Sequence, residues 1–318
     1  MTLQEQIRAN RLKSLIVLFG FALLLLLLAA LVGFAFDLSL GVVALLGAAV
    51  YGIFALIRHR SIVSRLTHAQ EVDQDAIRPL QRLVENISIG AGLPVTPPVR
   101  IVDDPAPNAY AAGLRPESSY VGVTTGLLAT MPQRELEAVI AHEVSHIRNR
   151  DTYLMTMALI FAGVIAVIAD IGFRSLAYGG RSRRGGIVVL IAALVGFLLA
   201  PYAAMLLRLS LSRRREFLAD AGAAEILNDP EAMALALRRL EQNPTTIRYA
   251  EASTAHLWVE SPSDRVESEG GGASALSSLF NTHPPIQSRI AALEEAGGFR
   301  LPDALPHDEA FGVEHGLI

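Results

Sequence analysis

Ala141-His142-Glu143-Val144-Ser145-His146-Ile147 is the stretch that decides how the rest of the chain is read. Residues four apart on a helix project from one face, so His142 and His146 present two imidazoles together. Two such groups can bind one zinc ion at about 2.0–2.1 Å each. Glu143 follows the first imidazole and stands beside the ion, where a general base must stand to take a proton from metal-bound water. Zinc lowers the pKa of that water to roughly 7, so hydroxide is available near neutral pH. Chance gives three such fixed residues in five positions in about one chain of this length in a hundred. A surface helix with two incidental histidines is the plainer reading, but Leu136, Val139, Ile140, Val144 and Ile147 make this helix apolar.

A catalytic zinc needs a third protein ligand and an open position. The chain has no cysteine, so His, Asp or Glu must supply it. Glu216, in Ser212-Arg-Arg-Arg-Glu216-Phe-Leu-Ala-Asp220, is the best candidate. Asp220 lies four residues further on, so both can face the metal helix. Asp220 could accept the outer N–H of a ligand histidine and fix its tautomer. The same spacing also fits an ordinary charged helix, with Glu216 solvated beside three arginines, and spacing alone leaves both open.

Working outward, the 318 residues are 52% hydrophobic and 18% charged, and the mean hydropathy is +0.39. A soluble globular chain carries more charge. The net charge of −4 gives no basic excess and no reason to expect a nucleic-acid partner. Residues 14–36 hold no charge and can span a hydrocarbon core of about 30 Å. Residues 38–57 form a second uncharged run, separated from the first only by Asp37, so the two read as a helical hairpin. Residues 152–169 and 185–207 are two further runs, the last interrupted by Pro201. Arg8, Arg11 and Lys13 before the hairpin, with Arg58, Arg60 and Arg65 after it, put both of its ends in the cytoplasm. Arg174, Arg181, Arg183 and Arg184 between the last two runs oppose that rule, so this pair either spans or is partly re-entrant.

The hydrophilic parts are 58–151 and 208–318. Helical spacing is expected over Ser64–Ile89, turns over Gly90–Pro98, and short strands at Val99–Val102 and Tyr120–Val123. Asn108-Ala-Tyr-Ala-Ala-Gly113 is flanked by prolines, which mark edge strands and loops. From Pro132 the pattern is helical through the His142 site and directly into the third apolar run, with Glu135 and Glu137 in the first turns. Arg213–Leu227, Pro230–Glu241 and a segment opening at Thr282-His-Pro-Pro285 and closing near Gly297 read as helices. Residues 260–278 are rich in Ser, Gly and Glu, and the tail after Phe299 shows no clear pattern.

Taken together, the apolar hairpin, Asn108–Gly113, Ala141–Asp151, Ser212–Asp220 and Thr282–Pro285 resemble the HtpX family of membrane zinc endopeptidases, relatives of the prenyl-protein CAAX peptidases. The resemblance covers nearly the whole chain. It implies a mainly α (α+β) fold: a helical transmembrane protein with a gluzincin-type metalloprotease domain containing a small β-sheet. It implies one zinc ion on His142, His146 and Glu216, with Glu143 as catalytic base. It implies a site facing the cytoplasm from a bacterial plasma membrane, with damaged or misassembled membrane proteins as substrates. Asn108 and its strand are expected to line a cleft where an extended substrate adds as a further strand. His283 and Arg289 match positions near the site in relatives. His283 could donate to the developing oxyanion, or serve only as a helix-start residue beside two prolines. The stretch 260–278 does not align and is a candidate lid.

The expected organisation is a transmembrane hairpin at 1–60, a first catalytic part at 61–151, a second apolar pair at 152–207 and a second catalytic part at 208–318. The expected partners are polypeptide substrates and the lipid bilayer, and a homo-oligomer is compatible with the sequence. A peptidase cutting within the bilayer would place the motif inside an apolar span, yet Arg148, Asn149, Arg150 and Asp151 follow it at once. A CAAX-type prenyl-protein peptidase fits less well, because only two apolar runs precede the motif and the chain is short for that role. A non-catalytic membrane scaffold with a decayed site also fits less well, because His142, Glu143, His146 and Glu216 are all intact.

Overall fold

A computed structural model of the chain describes residues 38–73, 75–157, 213–245, 284–302 and 304–318, with the single positions Phe19, Ile160 and Ile247. The described part is mostly helical, with one small mixed sheet. The apolar run 14–36 apart from Phe19, the run 185–207, most of 152–169, the stretch 260–278 and His283 lie outside the described residues.

Helix α1 (Leu38–Leu66) carries the second apolar run. Its described side chains Val42, Leu46, Val50, Ile53, Phe54 and Ile57 are exposed. Among the described residues, no helix is long and apolar enough to cross a membrane. After α1 the chain does not continue as a helix to Ile89. His68 takes a left-handed φ of 55°, and Ala69–Glu71 forms strand β1 before helix α2 (Arg78–Gly90). A three-residue strand is too short to show a period, which is why helical spacing over-ran it. Helix α2 buries Leu80, Leu83, Val84 and Ile87, the i, i+3, i+4, i+7 pattern of one helical face.

Strands β2 (Val99–Val102), β3 (Ala109–Ala112) and β4 (Tyr120–Thr124) complete a sheet of order β1-β2-β4-β3. The β2–β4 pair is parallel and the other two are antiparallel. This leaves β3 at an edge, as its flanking prolines predict. A short helix α3 (Thr125–Thr130), capped by the Thr124 hydroxyl, turns the chain into helix α4 (Gln133–Arg148).

Helix α4 is the centre of the fold. It packs on α2, on β3, and on helices α5 (Arg213–Leu227) and α6 (Pro230–Gln242). Leu136, Val139, Ile140, Val144 and Ile147 are fully buried around it. Deleting such side chains costs about 2–5 kcal/mol each. Helix α6 starts at Asp229, whose carboxylate accepts Ala232 N–H, and Arg134 of α4 grips Asp229 and Glu231, each at 2.7 Å. Helix α7 (Ile286–Gly297) packs on α5 and α6 and ends at Gly298, whose φ of 67° favours glycine. The tail is not patternless: Phe311 opens a short helix α8 (Phe311–Glu314) and is buried, and its N–H bonds Met131 O at 2.8 Å.

Helix α4 does not run straight into the third apolar run, although its periodicity predicts that it should. It stops at Arg148, Arg150 turns left-handed with φ 61°, and helical backbone resumes at Asp151. The break redirects the chain just beyond the two histidines.

Candidate metal centre

Helix α4 sets His142 and His146 one turn apart, with their Nε2 atoms 3.2 Å from each other. Helix α5 crosses them and offers Glu216. Its Oε2 lies 3.7 Å from His142 Nε2, and its Oε1 lies 3.7 Å from His146 Nε2. All three are buried, and they form the cluster that could hold a metal ion among the described residues. Four ligands at about 2.0–2.1 Å and tetrahedral angles stand about 3.4 Å apart. The observed separations of 3.2 and 3.7 Å bracket that value.

The approach of α5 to α4 depends on Gly222. A Cβ there would sit 2.6 Å from Ser145 Oγ and 3.1 Å from Ser145 Cβ. Glycine lets the two backbones close up and carries Glu216, six residues earlier on the same helix, onto the histidines.

The outer shell is built from carboxylates. Asp220 Oδ1 lies 3.0 Å from His142 Nδ1, though off the line of an ideal hydrogen bond. Arg289, fully buried on α7, donates to both Asp220 oxygens, at 2.8 Å through Nε and 2.6 Å through Nη2. Its Nη1 is 3.7 Å from Glu216 Oε2. Burial alone would raise the Asp220 carboxyl, but the Arg289 guanidinium and His142 outweigh it and hold it below the usual range. Burial alone would likewise keep His142 neutral; the Asp220 and Glu216 carboxylates outweigh it and push the imidazole up to about 9. The site thus favours positive charge at this point. Around the ligands Glu143, Asp151, Glu216 and Asp220 give four buried carboxylates against two buried guanidiniums, Arg215 and Arg289. With neutral imidazoles that leaves a formal charge of −2, which a divalent cation matches. The donor set and the charge both fit a metal such as zinc.

Glu143 is buried next to the cluster. Burial pushes its carboxyl up, partly offset by the two histidines and by the Ala111 N–H that it accepts from β3. Alternate N–H groups of an edge strand point outward. In β3 and just beyond it these are Ala109, Ala111 and Gly113. Ala109 N–H donates to Asn108 Oδ1 at 3.0 Å, Ala111 to Glu143, and Gly113 to Thr156 Oγ1 at 2.9 Å. Asn108 is therefore buried at the head of the edge strand, its amide turned to its own backbone.

The structure thus groups His142, His146, Glu216, Glu143, Asp220 and Arg289. Asp151 and Arg215 join them without a signal from spacing. Asp151 is five residues past His146, which on an unbroken helix faces elsewhere; only the turn at Arg150 brings it back to His146 Nδ1, at 3.2 Å. Gly222 carried no sign of its role either, since only the position of the facing helix gives it one.

A buried His-His-Glu cluster with a further buried carboxylate and the edge strand of a sheet beside it is what metal-assisted hydrolysis of a peptide requires, and the chain is a metallopeptidase. Residues 75–297, from just before α2 to the end of α7, match peptidase family M48. The chain belongs to that family, and its relatives are HtpX-type proteases. It is 36% identical over 304 residues to a Protease HtpX homolog of Limosilactobacillus fermentum, covering 92% of this chain and 99% of that protein. It is 38% identical to the homolog of Streptococcus mutans over 92% of this chain and 99% of that protein. The homolog of Dictyoglomus thermophilum is also 38% identical, over 93% and 95% of the two chains. The crystal structure of S. mikatae Ste24p aligns with 91% of this chain and 66% of that one, at a TM-score of 0.45 and 17% identity.

Proposed function

We propose that the chain is a zinc endopeptidase anchored in a membrane, with its site at the cytoplasmic surface, that cleaves misfolded or damaged membrane proteins. The observation that carries the catalytic part is the juxtaposition of His142, His146 and Glu216 at tetrahedral separations with Glu143 alongside. His142, His146 and Glu216 hold the ion in this reading, and Asp220 and Arg289 orient His142. When bound, zinc supplies Lewis acidity toward the scissile carbonyl and toward water. Glu143 accepts the proton of the attacking water and delivers it to the leaving amine. Its burial favours the first half of that task, because a raised carboxyl takes up a proton more readily than an exposed one. His283 donates to the developing oxyanion.

The substrate lies extended along β3 and adds to the sheet edge. The edge position of β3 supports this, and Ala111 places Glu143 directly against that edge. The outward donors of Ala111 and Gly113 are held by Glu143 and Thr156, so an incoming backbone exchanges with these contacts. Membrane anchoring is supported by the uncharged runs of the sequence and by the exposed apolar side chains along α1. The arginines flanking the hairpin support the cytoplasmic orientation. The division into a hairpin at 1–60, catalytic parts at 61–151 and 208–318 and an apolar pair at 152–207 follows the same reading.

Full-length wild type and Glu143→Gln, purified in detergent, test it with casein as an unfolded substrate. The variant keeps its zinc and loses roughly 10²–10⁴-fold in turnover, the usual range of general acid–base action. Unchanged turnover with zinc still bound would remove Glu143 from the chemistry.

A further inference from the structure

His146 is backed in the same way as His142. Its Nδ1 lies 3.2 Å from Asp151 Oδ2, and both residues are buried. The other Asp151 oxygen lies 3.7 Å from Nε of Arg215, also buried. Imidazole, aspartate and arginine therefore follow one another on this side as His142, Asp220 and Arg289 do on the other. We propose that Asp151 and Arg215 are positioning residues for His146: Asp151 accepts its outer N–H and turns Nε2 toward the metal, while Arg215 holds Asp151 in place. This rests on the zinc reading above.

Three observations favour a positioning role over incidental burial. The first is the backbone. Asp151 reaches His146 only because Arg150 adopts a left-handed φ of 61°. That conformation is disfavoured for a non-glycine residue and persists where its surroundings impose it. The second is charge. A guanidinium as buried as Arg215 needs an acidic partner, and the buried Asp151 carboxylate lies 3.7 Å from its Nε. The third is chain order. Arg215 immediately precedes the ligand Glu216, and Asp151 and Arg215 stand at the two ends of the stretch 151–215. The two ends of that stretch are joined at the metal cluster. One helix, α5, therefore governs two ligands, Glu216 directly and His146 through Arg215 and Asp151. A shift of α5 loosens both together.

Zinc affinity by chelator competition on the full-length protein in detergent tests this. Asp151→Asn weakens zinc 10–100-fold, the usual effect of losing an outer partner of a ligand histidine. Arg215→Gln weakens it by about tenfold, and Arg215→Lys, which keeps the charge, recovers most of that loss. The visible bands of the cobalt-substituted protein shift in Asp151→Asn, because the orientation and basicity of one ligand imidazole change. Thermal midpoints of chelator-treated samples supply the structural control. If affinity and cobalt bands are unchanged in Asp151→Asn while the wild type binds zinc, this inference alone fails. The same holds if every affinity loss simply follows a lower midpoint in the chelated protein. A wild type that takes up neither zinc nor cobalt overturns the zinc reading and this inference with it. Should Asp151→Asn not accumulate, Arg215→Gln and Arg215→Lys decide the matter.

Discussion

Arg289 donates two hydrogen bonds to Asp220, at 2.8 and 2.6 Å, with both side chains sealed from solvent. The pair joins α7 to α5 from behind the ligand set. A buried ion pair adds little over an apolar replacement, but breaking it from one side leaves a bare buried charge at a cost of about 3–5 kcal/mol. Arg289→Gln should lower stability by that amount in denaturant melts and weaken zinc binding as well. Arg289→Lys should recover only part of it, since an ammonium cannot span both oxygens. An Arg289→Gln protein within about 0.5 kcal/mol of wild type, the range of an ordinary surface substitution, would show that Asp220 is held by something else.

A second prediction concerns pH at the α4–α6 junction. The Arg134 guanidinium holds the Asp229 carboxyl below its ordinary value, helped by the Ala232 N–H at the start of α6. A depressed folded pKa stabilises above the unfolded value, near 3.9, and that stability is lost as pH falls through the folded one. Asp229→Ala should therefore cost about 1–2 kcal/mol at pH 7, mostly as a lost helix cap. Its deficit relative to wild type should shrink below about pH 4. Melts across pH 3–8 check this, and a constant deficit would contradict it.

Gly222 offers a packing prediction. The new Cβ of Gly222→Ala would meet Ser145 Oγ at 2.6 Å, and a short side chain on a rigid helix has no room to yield. Helix α5 must back away from α4, at a cost of about 1–3 kcal/mol. Glu216 retreats with it, so zinc affinity should fall together with stability. Adding Ser145→Ala removes the nearer of the two clashing atoms and should restore part of both. Wild-type zinc affinity in Gly222→Ala alone would mean that the helices have slack.

Much of this was legible in the sequence wherever a short-range rule applied. Histidines four apart define the metal face of α4. Alternation and flanking turns mark Val99–Val102 and Tyr120–Val123, one residue short of the strand that forms, and prolines put Asn108–Gly113 at an edge. Glu216 needed more, because its spacing from Asp220 fits a solvated helix equally well; the packing of α5 on α4 turns both inward. What spacing could not carry depends on partners distant in sequence or on one backbone torsion. Ala69–Glu71 is a strand only because β2 lies beside it. Asp151 reaches His146 only through the turn at Arg150, and Phe311 is buried only because Met131 receives its backbone.

The most direct test of the central claim is the zinc content of the full-length protein purified in detergent, measured by elemental analysis beside Glu216→Ala. One zinc per chain in the wild type, and its loss in the variant, is the expected result. Zinc retained in full by Glu216→Ala, or absent from a folded wild type supplied with the ion, would contradict a site built from His142, His146 and Glu216.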